Sequence, residues 1–186
     1  MMTSSKKLVV LDRDGVINLD SDAFIKSPDE WIAIPGSLEA IARLNQAGYR
    51  VVVATNQSGI GRGLFDMAAL NAMHEKMQRA AAAVGARIDA VFFCPHTAED
   101  QCECRKPKPG LLKTIVERFE IDPALTPVVG DSLRDLQAGA ALGCRTHLVL
   151  TGKGDKTLVA GGLPEGTRIH EDLKAFALTY LAEQDD

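Results

Sequence analysis

The sequence has no run of apolar residues close to the roughly 20 that a membrane-spanning helix needs, so no transmembrane segment is expected. It also lacks an excess of positive charge. Its 21 Lys and Arg stand against 25 Asp and Glu, a net charge of −4, which excludes a general affinity for nucleic acid or anionic membranes. An anionic ligand would need a local basic cluster and a metal to offset that field. Residues 1–7 are polar and lack the pattern of a secretory signal, so a cytoplasmic location is expected. Cysteine is scarce, and in such a compartment four cysteines point to metal ligation or burial rather than to disulfides. Internal repeats and low-complexity segments are missing too. What is there suits one globular domain over residues 1–186: 46% of the chain is hydrophobic and 25% charged, enough for a full core.

The chain is organised around its first apolar run. Leu8–Leu11 has the pattern of a buried parallel strand and leads into Asp12-Arg13-Asp14-Gly15. In open α/β sheets chemistry gathers beyond the carboxyl ends of the strands, where Asp12 and Asp14 fall. Two acids this close repel unless they share a hard divalent cation, Mg2+ above all, or a proton. A solvated Asp- and Gly-rich turn is the plainer alternative. Further strands are expected at 50–55, 88–93, 127–131, 144–150 and 168–170. Helices are expected at about 38–47, with Ser37 as its cap, and at 67–84 behind Asp66. Others are expected at 109–119, 132–142 and 172–183, with one turn near 156–160. The alternation predicts an α/β fold, a doubly wound parallel sheet with its core over about 8–152 and no room for a large cap domain.

The strand ends carry complementary groups. The first supplies Asp12 and Asp14, the second Thr55, the fourth Asp131, and the loop after the third supplies Arg105 and Lys106. Parallel strands bring these ends to one edge, and their joint occurrence is far more specific than any one of them. The chemistry that fits is phosphoryl transfer. Asp12 would be the nucleophile. Asp14 would protonate the leaving alkoxide and then take a proton from the attacking water. Mg2+ would be held by Asp12, Asp131 and a main-chain carbonyl at Asp14. Lys106 and the Thr55 hydroxyl would stabilise charge on the phosphoryl oxygens.

A second set is Cys94-x-His96-x5-Cys102-x-Cys104. Three thiols and an imidazole suit a tetrahedral Zn2+ site, and a closed four-ligand site is structural. Its role would be to order the loop that delivers Arg105 and Lys106. The alternative is four unrelated residues. Cys144 reads as a buried thiol, His74 as a surface or structural residue, and His147 and His170 receive no role.

Asp12-Arg13-Asp14-Gly15, Thr55, Lys106 and Gly130-Asp131 resemble the four motifs of the haloacid dehalogenase superfamily. The resemblance implies an aspartyl-phosphate on Asp12 with Asp14 as acid and base, and a phosphatase or mutase rather than a transport ATPase. Cys-Pro-His and Cys-x-Cys-Arg-Lys-Pro are similar to a zinc-loop group within it. One branch of that group removes the 7-phosphate of a heptose 1,7-bisphosphate in lipopolysaccharide core synthesis; the other hydrolyses histidinol phosphate. The short gap between His96 and Cys102 resembles the histidinol branch. Val16-Ile17-Asn18-Leu19-Asp20 and Asn56-Gln57-Ser58-Gly59-Ile60-Gly61-Arg62-Gly63 resemble the heptose branch. Contacts to substrate weigh more than loop length, which changes cheaply, so the heptose activity is expected. By this resemblance Asp20, Ser21, Asp22, Ala23, Thr55, Asn56, Gln57, Ser58, Arg105 and Lys106 would contact the sugar phosphate. Asp135 would support the metal through water or cap its helix. A monomer acting on a small sugar bisphosphate, with Mg2+ and Zn2+ as cofactors, is expected. A phospho-accepting signalling module is the rival of another class, and Asp14 argues against it by destroying the signal.

Overall fold

The computed structural model describes residues 6–184. Six strands form one parallel sheet: β1 (Leu8–Leu11), β2 (Arg50–Asn56), β3 (Ala90–Cys94), β4 (Pro127–Gly130), β5 (Arg145–Val149) and β6 (Arg168–His170), in the order β3-β2-β1-β4-β5-β6. β1 sits centrally, with Val10 in register with Val52 on one side and Val128 on the other. The chain runs outward from β1 in both directions, so the crevice between β1 and β4 is the switch point where such sheets place their ligands. No described helix is long and apolar enough to cross a membrane.

Because successive strand side chains point to opposite faces, each central strand feeds two cores. Val9 and Leu11 of β1 and Val51 and Val53 of β2 pack under α1 (Ser37–Gln46), α3 (Met67–Ala83) and α7 (Leu173–Gln184). Leu8, Val10, Val52 and Ala54 pack on the other face against Leu111, Leu112 and Ile115 of α4 (Gly110–Phe119) and Ala138 of α5 (Leu133–Ala140). Two short helices, α2 (Ser58–Gly61) and α6 (Gly154–Ala160), follow strand ends.

Several expectations shift. Strand β3 starts later than 88, because the Asp89 carboxylate accepts from the Val51 N–H and occupies the ladder there. Ser37 does not cap α1. It is the helix's first residue, and its hydroxyl donates to the Ile17 carbonyl at 2.6 Å, while Gly36 holds the cap position at φ 86°. Asp66 does cap α3, accepting from the Ala69 N–H. The expected turn near 156–160 is the longer α6.

His147 and His170 lie side by side on β5 and β6, Nδ1 to Nε2 at 3.0 Å, packed against Phe176 and Tyr180 of α7. One ring must donate and the other accept, so the pair is held without a full complement of protons. Burial first, then the charges of His170 and Arg168, push His147 from 6.5 down to about 3, and burial lowers His170 as well. Below about pH 6.5 the unfolded chain takes up protons that the native pair refuses, so stability falls as pH falls through this window. His147→Gln keeps a hydrogen-bonding group but removes one titration. It is expected to shallow the loss of the urea midpoint between about pH 6.5 and pH 5; parallel curves for variant and wild type would contradict the assignment.

Candidate active site

Lys106 reaches the carboxyl edge of the sheet from the loop after β3. Its ammonium, 3% exposed with its residue, touches three acceptors: Asp12 Oδ1 at 3.1 Å, Asp135 Oδ1 at 2.6 Å and the Ala54 carbonyl at 2.7 Å. An ammonium has three protons to donate, and all are committed. The Lys106 backbone is clamped by Asn56 at the end of β2. Asn56 Oδ1 accepts from the Lys106 N–H at 3.0 Å, and Asn56 Nδ2 donates to the Lys106 carbonyl at 3.1 Å.

Asp12, Asp131 and Asp135 each bring a carboxylate oxygen within 4.8 Å of the others. Three clustered acids, only two of them paired with the ammonium, leave an excess of negative charge. Burial first, then repulsion from Asp135, raise Asp12 to about 7 despite Lys106. Burial, Asp12 and Asp135 raise Asp131 to about 8. Asp135 stays below the ordinary range: burial opposes its ionisation, but the Lys106 charge and the Ser132 hydrogen bonds outweigh that. The same two acids hold the Lys106 ammonium above its ordinary range against burial.

Asp131 is fixed from the far side. Its Oδ2 accepts from the Lys153 N–H at 2.9 Å and its carbonyl from the Thr157 hydroxyl at 2.7 Å. Gly15 and Gly152 press against it at positive φ, and a Cβ at either would lie 2.0 or 2.3 Å from Asp131 Oδ2. Only glycine fits there.

Asp14 turns away from the acid trio. Its Oδ1 accepts from Arg13 Nε at 2.8 Å and Asn18 Nδ2 at 2.9 Å, and its Oδ2 from Gln57 Nε2 at 3.2 Å. With its carboxylate engaged by these three side chains, Asp14 still has its main-chain carbonyl for the metal role expected of it.

A cavity of about 250 Å³ gathers most of the expected residues: Asp12, Asp14, Thr55, Lys106 and Asp131, with Asp20, Ser21, Asp22, Asn56, Ser58 and Arg105. Two expected substrate contacts do not line it. Gln57 spends its amide on Asp14 and on Thr55 Oγ1. Ala23 is exposed, its N–H on Ser21 Oγ, and the chain turns at Phe24 (φ 65°), which lines the cavity instead. Sequence reasoning missed Arg134, Lys153 and the lining role of Arg62. Arg134 could have been found from its place in the first turn after Asp131. Lys153 Nζ pairs with Asp20 at 3.3 Å. Arg62, Arg105 and Arg134 form no ion pair among the described residues. Burial, then the charges of Arg134 and Arg62, lower Arg105.

Asp135 takes the helix-cap role expected of it and adds an ion pair. Its Oδ2 accepts from the Ser132 N–H and hydroxyl as the helix cap, while its Oδ1 pairs with Lys106. Just before Lys106 in the chain, Cys94, His96, Cys102 and Cys104 converge, each offering a donor atom within 4.8 Å of the rest. The four-residue set is compatible with a zinc site, and none of its cysteines is in a disulfide.

A parallel sheet in this strand order, with acids at the ends of β1 and β4 and a lysine paired with Asp12 and Asp135, is the arrangement of an α/β core built for phosphoryl chemistry. The chain belongs to the haloacid dehalogenase superfamily: residues 7–135 match the polynucleotide kinase 3 phosphatase model and residues 103–176 the HAD-hydrolase-like model. Its curated relatives include a D-glycero-beta-D-manno-heptose-1,7-bisphosphate 7-phosphatase of Bordetella bronchiseptica, 63% identical over 177 residues, 95% of this chain and 99% of the relative. The phosphatase of the same name from Pseudomonas aeruginosa is 54% identical with the same coverage. The crystal structure of the B. bronchiseptica D,D-heptose 1,7-bisphosphate phosphatase, complexed with magnesium and phosphate, matches with a TM-score of 0.94 over 95% of this chain and 99% of that one. That of Burkholderia thailandensis is 74% identical, with a TM-score of 0.78 over 95% of this chain and 99% of that one.

Among the described residues Lys106 is the only cation in an ion pair with the acid trio, so removing it should be costly. Lys106→Met is expected to lower the unfolding free energy by about 3–5 kcal/mol, read by chemical denaturation, because it strands buried carboxylates. Adding Asp135→Asn should restore part of that loss; strictly additive effects would contradict the shared pair.

Proposed function

We propose that the chain is a Mg2+-dependent phosphatase that removes the 7-phosphate of D-glycero-β-D-manno-heptose 1,7-bisphosphate through an aspartyl-phosphate on Asp12. One observation carries the reading. A single cavity brings together an acid trio, two of whose members pair with Lys106, and Arg62, Arg105 and Arg134, guanidiniums without an ion pair among the described residues. A small molecule with two phosphates satisfies both groups, since guanidinium is the side chain best matched to phosphate oxygens. Relatives at 63% and 74% identity over almost the whole chain support the sugar.

The acid trio fits a hard cation by its chemistry: all donors are carboxylate oxygens, and one ammonium does not neutralise them. Asp12 and Asp131, with the main-chain carbonyl at Asp14, would hold Mg2+, and Asp135 would support it. Bound there, Mg2+ supplies charge shielding between the carboxylates and the phosphate. Asp12 Oδ attacks phosphorus, and the bond from phosphorus to the sugar oxygen breaks. Asp14 delivers a proton to that oxygen, then accepts one from the water that hydrolyses the phosphoaspartate. Lys106 exchanges its longest contact, the 3.1 Å bond to Asp12, for a phosphoryl oxygen. Thr55, oriented by Gln57, donates to another. Arg105, Arg62 and Arg134 bind the second phosphate. Cys94, His96, Cys102 and Cys104 would hold Zn2+, which would fix the approach of Arg105 and Lys106.

The test is phosphate release in Mg2+ from heptose 1,7-bisphosphate compared with histidinol phosphate. A preference of several orders of magnitude for the heptose is expected; the reverse preference would overturn the reading. Asp12→Asn should abolish turnover with the fold intact, and substantial residual activity would remove the nucleophile assignment. Cys102→Ser should lose bound zinc, measured as metal per chain; unchanged zinc would refute the four-ligand site.

A further inference from the structure

Arg13 has no exposed surface at all, although it stands between two acids that line the cavity. A guanidinium enclosed in this way must be paired. It has two partners. Nε donates to Asp14 Oδ1 at 2.8 Å, and Nη2 lies 2.8 Å from the same oxygen. On its other side Nη1 faces His74 Nε2 at 3.2 Å. A guanidinium only donates, so His74 Nε2 must be the acceptor, with the ring proton on Nδ1. Burial first, and the Arg13 charge second, lower His74 to about 4, which keeps the ring neutral near pH 7. His74 sits on α3, and no residue of that helix lines the cavity. Asp14 also accepts from Asn18 and Gln57, but these are neutral amides. Among the described residues Arg13 is the charged group paired with Asp14, and it holds Oδ1 while Gln57 holds Oδ2.

The geometry points to His74 as a positioning residue: a neutral imidazole that locks the Arg13 guanidinium, which in turn aims the Asp14 carboxyl at the leaving group. This rests on the reading of Asp14 as the general acid. Without the imidazole, the enclosed Nη1 loses its acceptor, and the guanidinium shifts toward another, carrying with it the Asp14 oxygen that it holds. Proton transfer is sensitive to small displacements of the donor.

The test separates the acid step from everything else by the leaving group. An alkoxide needs a proton as it departs; p-nitrophenolate does not. The quantity is kcat/KM, which reports events up to the first irreversible step. His74→Leu is expected to lower kcat/KM for heptose 1,7-bisphosphate roughly 10- to 100-fold. For p-nitrophenyl phosphate the change should be less than about threefold, since no acid is needed there. His74→Gln, whose amide oxygen can accept the Nη1 hydrogen, should recover most of the loss. Equal losses on both substrates, no loss on either, or Gln no better than Leu would overturn the inference. Asp14→Asn is the control. If it loses no more with the sugar than with p-nitrophenyl phosphate, the acid assignment itself fails; if it is selective and His74→Leu is not, only the role of His74 falls.

Discussion

One buried ammonium organises this protein. Charges enclosed in a fold persist only when paired and hydrogen-bonded. Lys106 meets that requirement by drawing together Asp12 from the end of β1, Asp135 from α5 and the Ala54 carbonyl of β2. Each partner belongs to a different element, so the salt-bridge centre also fixes the spacing of the sheet's carboxyl edge. The zinc-compatible loop and the Asn56 clamp then act on the same residue, from sequence and from space.

The sheet order explains why the acids meet. β1 and β4 are neighbours at the point where the chain reverses direction, and Asp12 and Asp131 extend from both. The connection after β5 then folds back, placing Gly152 and Lys153 against Asp131 and the Thr151 hydroxyl on the Gly15 carbonyl. The loops after β1 and β5 therefore grip Asp131 together. Their contact is so close that side chains are excluded, and glycine is a requirement of distance as well as of φ.

Residues whose role follows from local pattern were legible in the sequence. Apolar runs ending in acids marked β1 and β4, and the spacing of Cys94, His96, Cys102 and Cys104 marked the loop. Roles that depend on distant packing were not. Arg13, flanked by two acids, reads as part of a solvated turn, yet the fold encloses it completely. His74 looks like any polar residue on a helix surface; only the tertiary packing of α3 brings it to Arg13. Gln57 was expected to touch substrate, but its amide faces inward to Asp14 and Thr55. Ser37 carried a capping signal that a tertiary hydrogen bond to Ile17 overrode.

The saturation of Lys106 has a chemical consequence. Amine-directed electrophiles and acylating enzymes need a free lone pair on nitrogen. Here all three protons are engaged, the ammonium is held against deprotonation, and the side chain has almost no exposure. Lysines such as Lys108 and Lys153, with about half of their side chains open to solvent, have no such shield. Amine-directed modification would therefore fall on the surface lysines before the buried amine that Asp12 and Asp135 hold.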